Sequence, residues 1–403
     1  MKLGMKRFSV LAASGLMATT GFVALSSAGA SSGATKLPTY DVGYQGPLSG
    51  GNAADGLFEL GGAKLAVAQW NAKKARKFNI KLVLGDSQGD PTIAPSVATG
   101  FVLNPKIIAV VGPAFSGETV ATLGIYGANK MAMVSPSATR VSITVADPTA
   151  SPTGPLNTYH NFFRVLANDV VQGQSDGAYL QKNYGTGKIL VVSDTSTYGA
   201  GLASQVAIQI TKSGGSLANG GSVLNLPYSN ACTAGGTGTS DAVTASLTGV
   251  SAVFYGGYYC DFAQVVDNLV GTQHYAGTIM SGDGSDDTAL ITDLSNPTDG
   301  NGVLLSCACS IVGPAAWTAA YTKLNGAAPG IYSTQAYDAT NVVLNAMSKA
   351  KKMTRANVLT QVRKTNLKGV TGLIKFTTSG DINGGKAFVD KVESGKIVQL
   401  GTE

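Results

Sequence analysis

The sequence predicts an α/β protein built as two similar lobes, each a parallel sheet with helices on both faces. Three observations carry that prediction. Short apolar, β-branched runs alternate with helical stretches along most of the chain, which is the rhythm of parallel sheets. Residues 146–161 interrupt that rhythm with Pro148, Pro152, Gly154 and Pro155, and it then restarts. The 403 residues, 44% hydrophobic and 13% charged, suffice for two cores.

In the first half, residues 41–46, 80–84, 107–111 and 131–135 read as strands. Helices are expected between them over 57–71, 92–103 and 119–129, with Pro95 in a first turn where a missing N–H is harmless. Residues 146–161 read as an exposed loop or linker. In the second half, strands are expected at 188–192, 223–226, 252–255, 278–280 and 303–306, and helices at 199–212 and 262–271. Two Gly/Ser/Thr-rich stretches, 214–221 and 231–240, read as surface turns. After Cys309 come helices over 334–350 and 354–365, the second capped by Thr354. A strand pair, 372–377 with 386–392, is expected around the Gly380-Asp381 turn.

The first 30 residues carry the pattern of a secretory signal. Lys2, Lys6 and Arg7 precede a mostly apolar run over 8–25, and Ala28-Gly29-Ala30 offers small residues for cleavage. The run is shorter and more interrupted than the ~20 apolar residues of a spanning helix, and no Cys follows it to take a lipid anchor. The expectation is a soluble protein exported to the periplasm or the outer face of the membrane. Removing this segment takes away three of the 29 basic residues and no acidic ones, so a net charge of +6 becomes +3. No Lys/Arg cluster with interleaved aromatics remains, which excludes a nucleic-acid partner. Cys232, Cys260, Cys307 and Cys309 are an even set in an exported chain and favour disulfides, with three connectivities open. Cys-x-Cys without further ligands nearby does not point to metal.

In open α/β sheets, ligands sit beyond the carboxyl ends of the strands. That rule selects residues 114–118, 136–140, 194–199, 256–261 and 282–287. Ser116, in Val111-Gly112-Pro113-Ala114-Phe115-Ser116-Gly117-Glu118, stands where a hydroxyl and the first helical N–H groups can hold a carboxylate. Its plainer role is a helix N-cap. Ser137 and Thr139 follow the next strand after Pro136, in what is otherwise an ordinary Ser/Thr-rich turn. Tyr198-Gly199 and Tyr255-Gly256-Gly257-Tyr258 put aromatic rings at strand ends, either for ligand contact or for core packing. Asp283 adds a carboxylate to another, while Asp283, Asp286 and Asp287 lack the spacing of a Ca²⁺ loop. Hydroxyls and helix N–H groups on one lobe, tyrosines and an acid on the other, suit a zwitterion.

Over 41–381, and above all at 108–139, 194–203, Val253–Tyr258 and Tyr337-Asp338-Ala339, the chain resembles the branched-chain amino-acid (Leu/Ile/Val) binding proteins. These are type I periplasmic binding proteins of ABC importers. The resemblance implies two Rossmann-like lobes joined by a three-segment hinge, with crossings near 163–166, 306–310 and 384–388. Lobe one is then 35–164 plus 309–385, and lobe two 165–308 plus 386–403. It implies that Ser116, Ser137 and Thr139 hold the ligand's carboxylate and amine, that Tyr198 and Tyr258 close over it, and that Asp283 takes the ammonium. Tyr332 falls at an aromatic pocket position. Asp55 stands where an aromatic is common, Asp283 is one methylene shorter than the usual glutamate, and Phe115 replaces a cysteine of the family's first-lobe disulfide. A Cys307–Cys309 disulfide would lie at the hinge and limit its motion.

The expected function is therefore capture of a branched-chain amino acid, or a related amino acid, amide or organic acid, by a monomer that delivers it to an ABC permease, with no cofactor and no metal. A stand-alone sensor subunit of the same fold, docking on a membrane signalling partner, is the alternative. An enzyme is disfavoured because His160 and His274 are the only histidines. Its remaining resource is a pair of acids from Asp55, Glu118 and Asp283.

Overall fold

A computed structural model describes residues 36–226, 243–309 and 313–402. The signal-like segment, Cys232 and the 231–240 stretch lie outside them. Strands β1 (Thr39–Gly46), β2 (Asn79–Asp86), β3 (Ile107–Val111), β4 (Ala132–Ser135) and β5 (Phe162–Arg164) form the sheet of the first lobe, in the order β2-β1-β3-β4-β5. Every pairing in it is parallel. Helices α1 (Ala53–Ala72), α2 (Ala94–Leu103) and α3 (Ser116–Ala128) are the crossovers. All five residues of β3 are buried, as a strand covered on both faces requires. One face packs Val42, Val111 and Val134 beneath α1. The other packs Ile107, Val110 and Met133 against Phe101 of α2 and Leu123 of α3.

The second lobe follows with α4 (Asp169–Tyr184), β6 (Lys188–Ser193), α5 (Thr197–Lys212), β7 (Leu224–Asn225), β8 (Val250–Gly256), α6 (Tyr259–Val266), β9 (Thr278–Ser281), α7 (Thr288–Asp293) and β10 (Leu304–Cys307). The chain then supplies α8 (Ala315–Asn325), α9 (Ser333–Lys349) and α10 (Arg355–Val362) to the first lobe. There Val343, Met347 and Val358 join its core and Tyr321 packs on Leu65. It ends with β11 (Asn366–Lys368), β12 (Leu373–Lys375), β13 (Phe388–Glu393) and β14 (Lys396–Thr402). The second sheet runs β14-β13-β10-β9-β8-β6-β7, antiparallel only where β13 joins.

The expected strand pair near the end does not form. β12 pairs with β11, and β13 pairs with β10 and β14 in the other lobe's sheet. The reason lies in burial: Val389 and Val392 of β13 fill the second core, which a hairpin with β12 would leave open. Helix α4 was not expected from hydrophobic spacing because its buried face is Gln172, Gly173, Asp176, Gly177 and Leu180. A Cβ on Gly173 would stand 2.6 Å from that of Gln205, so the glycines let α4 lie against α5. Helix α8 presents only Trp317 and Tyr321 inward. Thr354 caps α10 as expected, accepting from Asn357 N at 3.3 Å. Residues 146–161 are mostly exposed but pinned by buried Asp147, Asn157 and Asn161. Cys307 and Cys309 form a disulfide, packed with Leu166, Ala167, Ile331 and Tyr332. Cys260 is also disulfide-bonded.

The α1–α9 contact gives a direct test. A Cβ on Gly62 would lie 2.1 Å from the Ser333 carbonyl oxygen, whereas one on Gly100 of α2 would meet nothing within 4 Å. Gly62→Val is expected to cost about 1–3 kcal/mol or more through overpacking. Gly100→Ala is expected to be neutral or to gain up to about 1 kcal/mol from helix propensity. Urea unfolding midpoints measure both.

Candidate functional site

The carboxyl ends of both sheets face one another, and the segments after the strands meet in a single cleft. Asp55, Phe115, Ser116, Ser137, Tyr198, Tyr258, Asp283 and Tyr332 line one cavity together with Gly284. Thr139 does not line it; it is buried beside the cleft, where its hydroxyl offsets part of the pKa shift of Asp169.

On the first lobe, Gly112 follows β3 at φ +107, and a Cβ there would come within 2.3 Å of the Gln45 carbonyl oxygen. Only glycine lets the chain turn toward the cleft at that point. Phe115, rather than Ser116, is the N-cap of α3, and its N–H donates to Glu118 Oε2 at 2.9 Å. Ser116 is thereby the first helical residue. Its Oγ accepts from Arg140 N at 3.2 Å, which leaves the hydroxyl proton to donate into the cavity. Ser137 Oγ lies 2.8 Å from the Ala114 carbonyl oxygen and 2.5 Å from Glu59 Oε1.

On the second lobe, Tyr198 donates to Asp283 Oδ1 at 2.5 Å and accepts from Gly284 N at 2.9 Å. Tyr332 of the first lobe donates to Asp283 Oδ2 at 2.6 Å. Tyr332 itself sits at φ +57, a left-handed conformation unusual for so bulky a residue. Tyr258 packs its ring 4.5 Å from that of Phe115 and 5.2 Å from that of Tyr198. Further ties join the lobes: Tyr259 donates to the Gly51 carbonyl at 2.7 Å, and Arg140 to the Thr197 carbonyl. The space left is about 10 Å³, room for about one water.

The cleft is rich in buried acid. Burial raises Asp283, while hydrogen bonds from Tyr198, Tyr332 and Gln172 oppose the rise. Burial, and then the charge of Asp287, push Asp55 well above the carboxylate range. Glu59 is pushed by burial to about 8, against the hydrogen bonds that Ser137 and Tyr44 donate to it. Burial also raises Glu118, Asp169 and Asp194 to about 7. Of the two arginines that moderate Asp169, Arg164 is fully buried. It pairs with Asp381 at 2.7 Å and donates to the carbonyls of Ala138 and Arg140 at 2.9 and 3.0 Å, holding the turn that carries Thr139.

Sequence reasoning missed Glu59 and the pairing of Asp287 with Asp55. Glu59 lies one helical turn after Asp55 on the same face, a signal that was legible. It also passed over Gly85-Asp86-Ser87-Gln88-Gly89, which has the spacing of a nucleophile elbow. Ser87 is buried and donates to Glu118, so its partner is an acid rather than a histidine. Among the described residues, no cluster of His, Cys, Asp and Glu is arranged to hold a metal, and no helix is long and apolar enough to cross a membrane.

The sequence profile described as periplasmic binding protein matches residues 39–253, more than half of the chain. The Leu/Ile/Val-binding protein homolog 2 of Brucella abortus is 28% identical, over 87% of this chain and 89% of that protein. A leucine-, isoleucine-, valine-, threonine- and alanine-binding protein of Pseudomonas aeruginosa is 26% identical over 95% of each. Among solved structures, the LivJ substrate-binding protein of Streptococcus pneumoniae, in complex with isoleucine, superimposes with a TM-score of 0.74. It covers 91% of this chain and 99% of its own, at 24% identity.

The raised acids set a pH dependence. Glu59, Glu118, Asp169 and Asp194 bind more protons folded than unfolded between their ordinary values and about 7 to 8. The stability they contribute is full below their unfolded values and is lost as pH rises toward the folded ones. Asp86, which is lowered, acts in the opposite sense only at more acid pH. Stability in urea is expected to fall between about pH 5 and about pH 8, and Glu59→Gln to flatten that slope by up to about 1.4 kcal/mol per pH unit.

Proposed function

The chain belongs to the periplasmic binding protein family, a family of solute-binding proteins rather than enzymes, and from that premise we propose that it is the extracytoplasmic receptor of an ABC importer. It captures an α-amino acid between its lobes by hinge closure and hands it to a membrane permease. The observation that carries this reading is the division of charge across the cleft. Ser116, with a free hydroxyl proton at the N-terminus of α3, suits a carboxylate. Asp283, on the opposite lobe, suits an ammonium. The amino-acid ligands named for the Brucella and Pseudomonas relatives, and the isoleucine bound in the Streptococcus structure, support the same ligand class.

In this reading the roles divide by lobe. Ser116, with Ser137 and Thr139 behind it, orients the carboxylate. Tyr198 and Tyr258 close from the second lobe with Phe115 and Tyr332 against them. Asp283 pairs the amine, and Asp55 meets the side chain. The lobes are 35–164 plus 309–385, and 165–308 plus 386–403. Residues 1–30 direct export and are removed. The Cys307–Cys309 disulfide stiffens one of the hinge crossings.

Closure desolvates both ligand charges at once, which makes their pairing worth more than in water. The test is a thermal-shift screen of refolded residues 31–403 against amino acids, amides and small organic acids. A true ligand at ~100 times its Kd adds about 2.7 kcal/mol of stability. Asp283→Ala is expected to cost about 2–5 kcal/mol of binding by titration calorimetry. Unchanged affinity in that variant, or turnover of the bound solute, refutes the reading.

A further inference from the structure

The electrostatics of the cleft reach beyond a neutral zwitterion, a step that rests on reading the cleft as an amino-acid site. A branched-chain amino acid brings one ammonium and one carboxylate. The cavity wall carries two acids, Asp55 and Asp283, and none of the described residues lining it is Lys, Arg or His. Asp283 is held by two phenol hydroxyls and stands ready for an α-ammonium.

Asp55 is different. It lies in the first turn of α1, fully buried, and neither of its oxygens receives a hydrogen bond. The group facing it across the lobe boundary is another carboxyl, Asp287. One oxygen of Asp287 caps α7 by accepting from Ala289 N at 2.6 Å; no amide or hydroxyl donor reaches the other, and the hydrogen bond between the two side chains needs a proton held by Asp55. Two buried carboxyl groups in contact cannot both ionise without a cation to compensate them. An aliphatic side chain placed against Asp55 leaves that deficit untouched. An ammonium or guanidinium supplies the compensating charge and donates to both carboxyls, taking the place of the shared proton. The rings of Phe115, Tyr198, Tyr258 and Tyr332 complete a wall that favours a cation.

We propose that the ligand is an amino acid with a cationic side chain, its α-carboxylate at Ser116, its α-ammonium at Asp283 and its side-chain cation between Asp55 and Asp287. Asp55 is then the residue that sets specificity.

Titration calorimetry of the purified protein, unfolded and refolded to remove carried-over solute, tests this with lysine, ornithine, arginine, norleucine and leucine. Norleucine has the carbon chain of lysine without its terminal ammonium. At least one basic amino acid is expected to bind about 30-fold or more tighter than norleucine and leucine. Asp55→Asn is expected to abolish that preference, and Asp287→Asn to weaken it in the same direction. Asp55→Asn should melt no lower than the parent without added solute, since it removes one of two facing carboxyls. Leucine or norleucine binding as tightly as every basic amino acid, with an affinity that needs Asp283 but ignores Asp55, overturns this inference and leaves amino-acid capture intact. Binding of no amino acid overturns both.

Discussion

Asp283 accepts a hydroxyl from Tyr198 of its own lobe and another from Tyr332 of the opposite lobe. Through that one carboxylate the two lobes share a hydrogen-bonded centre, and the rest of the cleft is arranged around it. Burial pushes both phenols well above their ordinary value, and the charge of Asp283 pushes them further, so they remain donors. The carboxylate is fixed from below as well. Ser281 and Ser285 hydrogen-bond to each other at 2.8 Å and bind the carbonyls of Tyr255 and Gly257, tying the turn that follows β9 to the end of β8. A charge so placed is costly to bury unless its surroundings are rigid.

The acids around this centre are answered by few cations. Among the described residues there are two ion pairs, and only the one between Arg164 and Asp381 is buried. Arg164 organises the turn beside Asp169, while the charge of Asp287 raises Asp55. The first lobe therefore brings backbone donors and hydroxyls to the cleft but also an acid of its own. The simple assignment of positive potential to one lobe and negative to the other does not hold at α1.

Much of this arrangement is legible in the sequence itself. Strand periodicity located the parallel strands, and the rule that ligands sit beyond their carboxyl ends then collected Ser116, Ser137, Tyr198, Tyr258 and Asp283. Each of those residues needs only a local strand-to-helix turn to reach the cleft. What escaped depends on partners distant in sequence or on faces that are not apolar. Helix α4 buries glycines and polar groups, so no hydrophobic stripe marks it. The pairing of β13 with β10 is decided by which core has room for Val389 and Val392. Thr139 was assigned by its place in a motif, yet the turn carries its hydroxyl toward Asp169 rather than into the cavity. The contact of Asp55 with Asp287 exists only because two lobes meet.

A cavity of about 10 Å³ cannot admit a solute. Encounter must occur in a form where Tyr332 has let go of Asp283 and the Phe115 ring has withdrawn from Tyr258. The apparent association rate is then the product of an intrinsic encounter rate and the fraction of time spent apart. At high solute concentration it levels off at the frequency of separation itself. The Tyr332 hydroxyl and a ring contact thus act as a timer: a tighter latch lengthens residence and lowers the ceiling on the rate of capture in the same stroke.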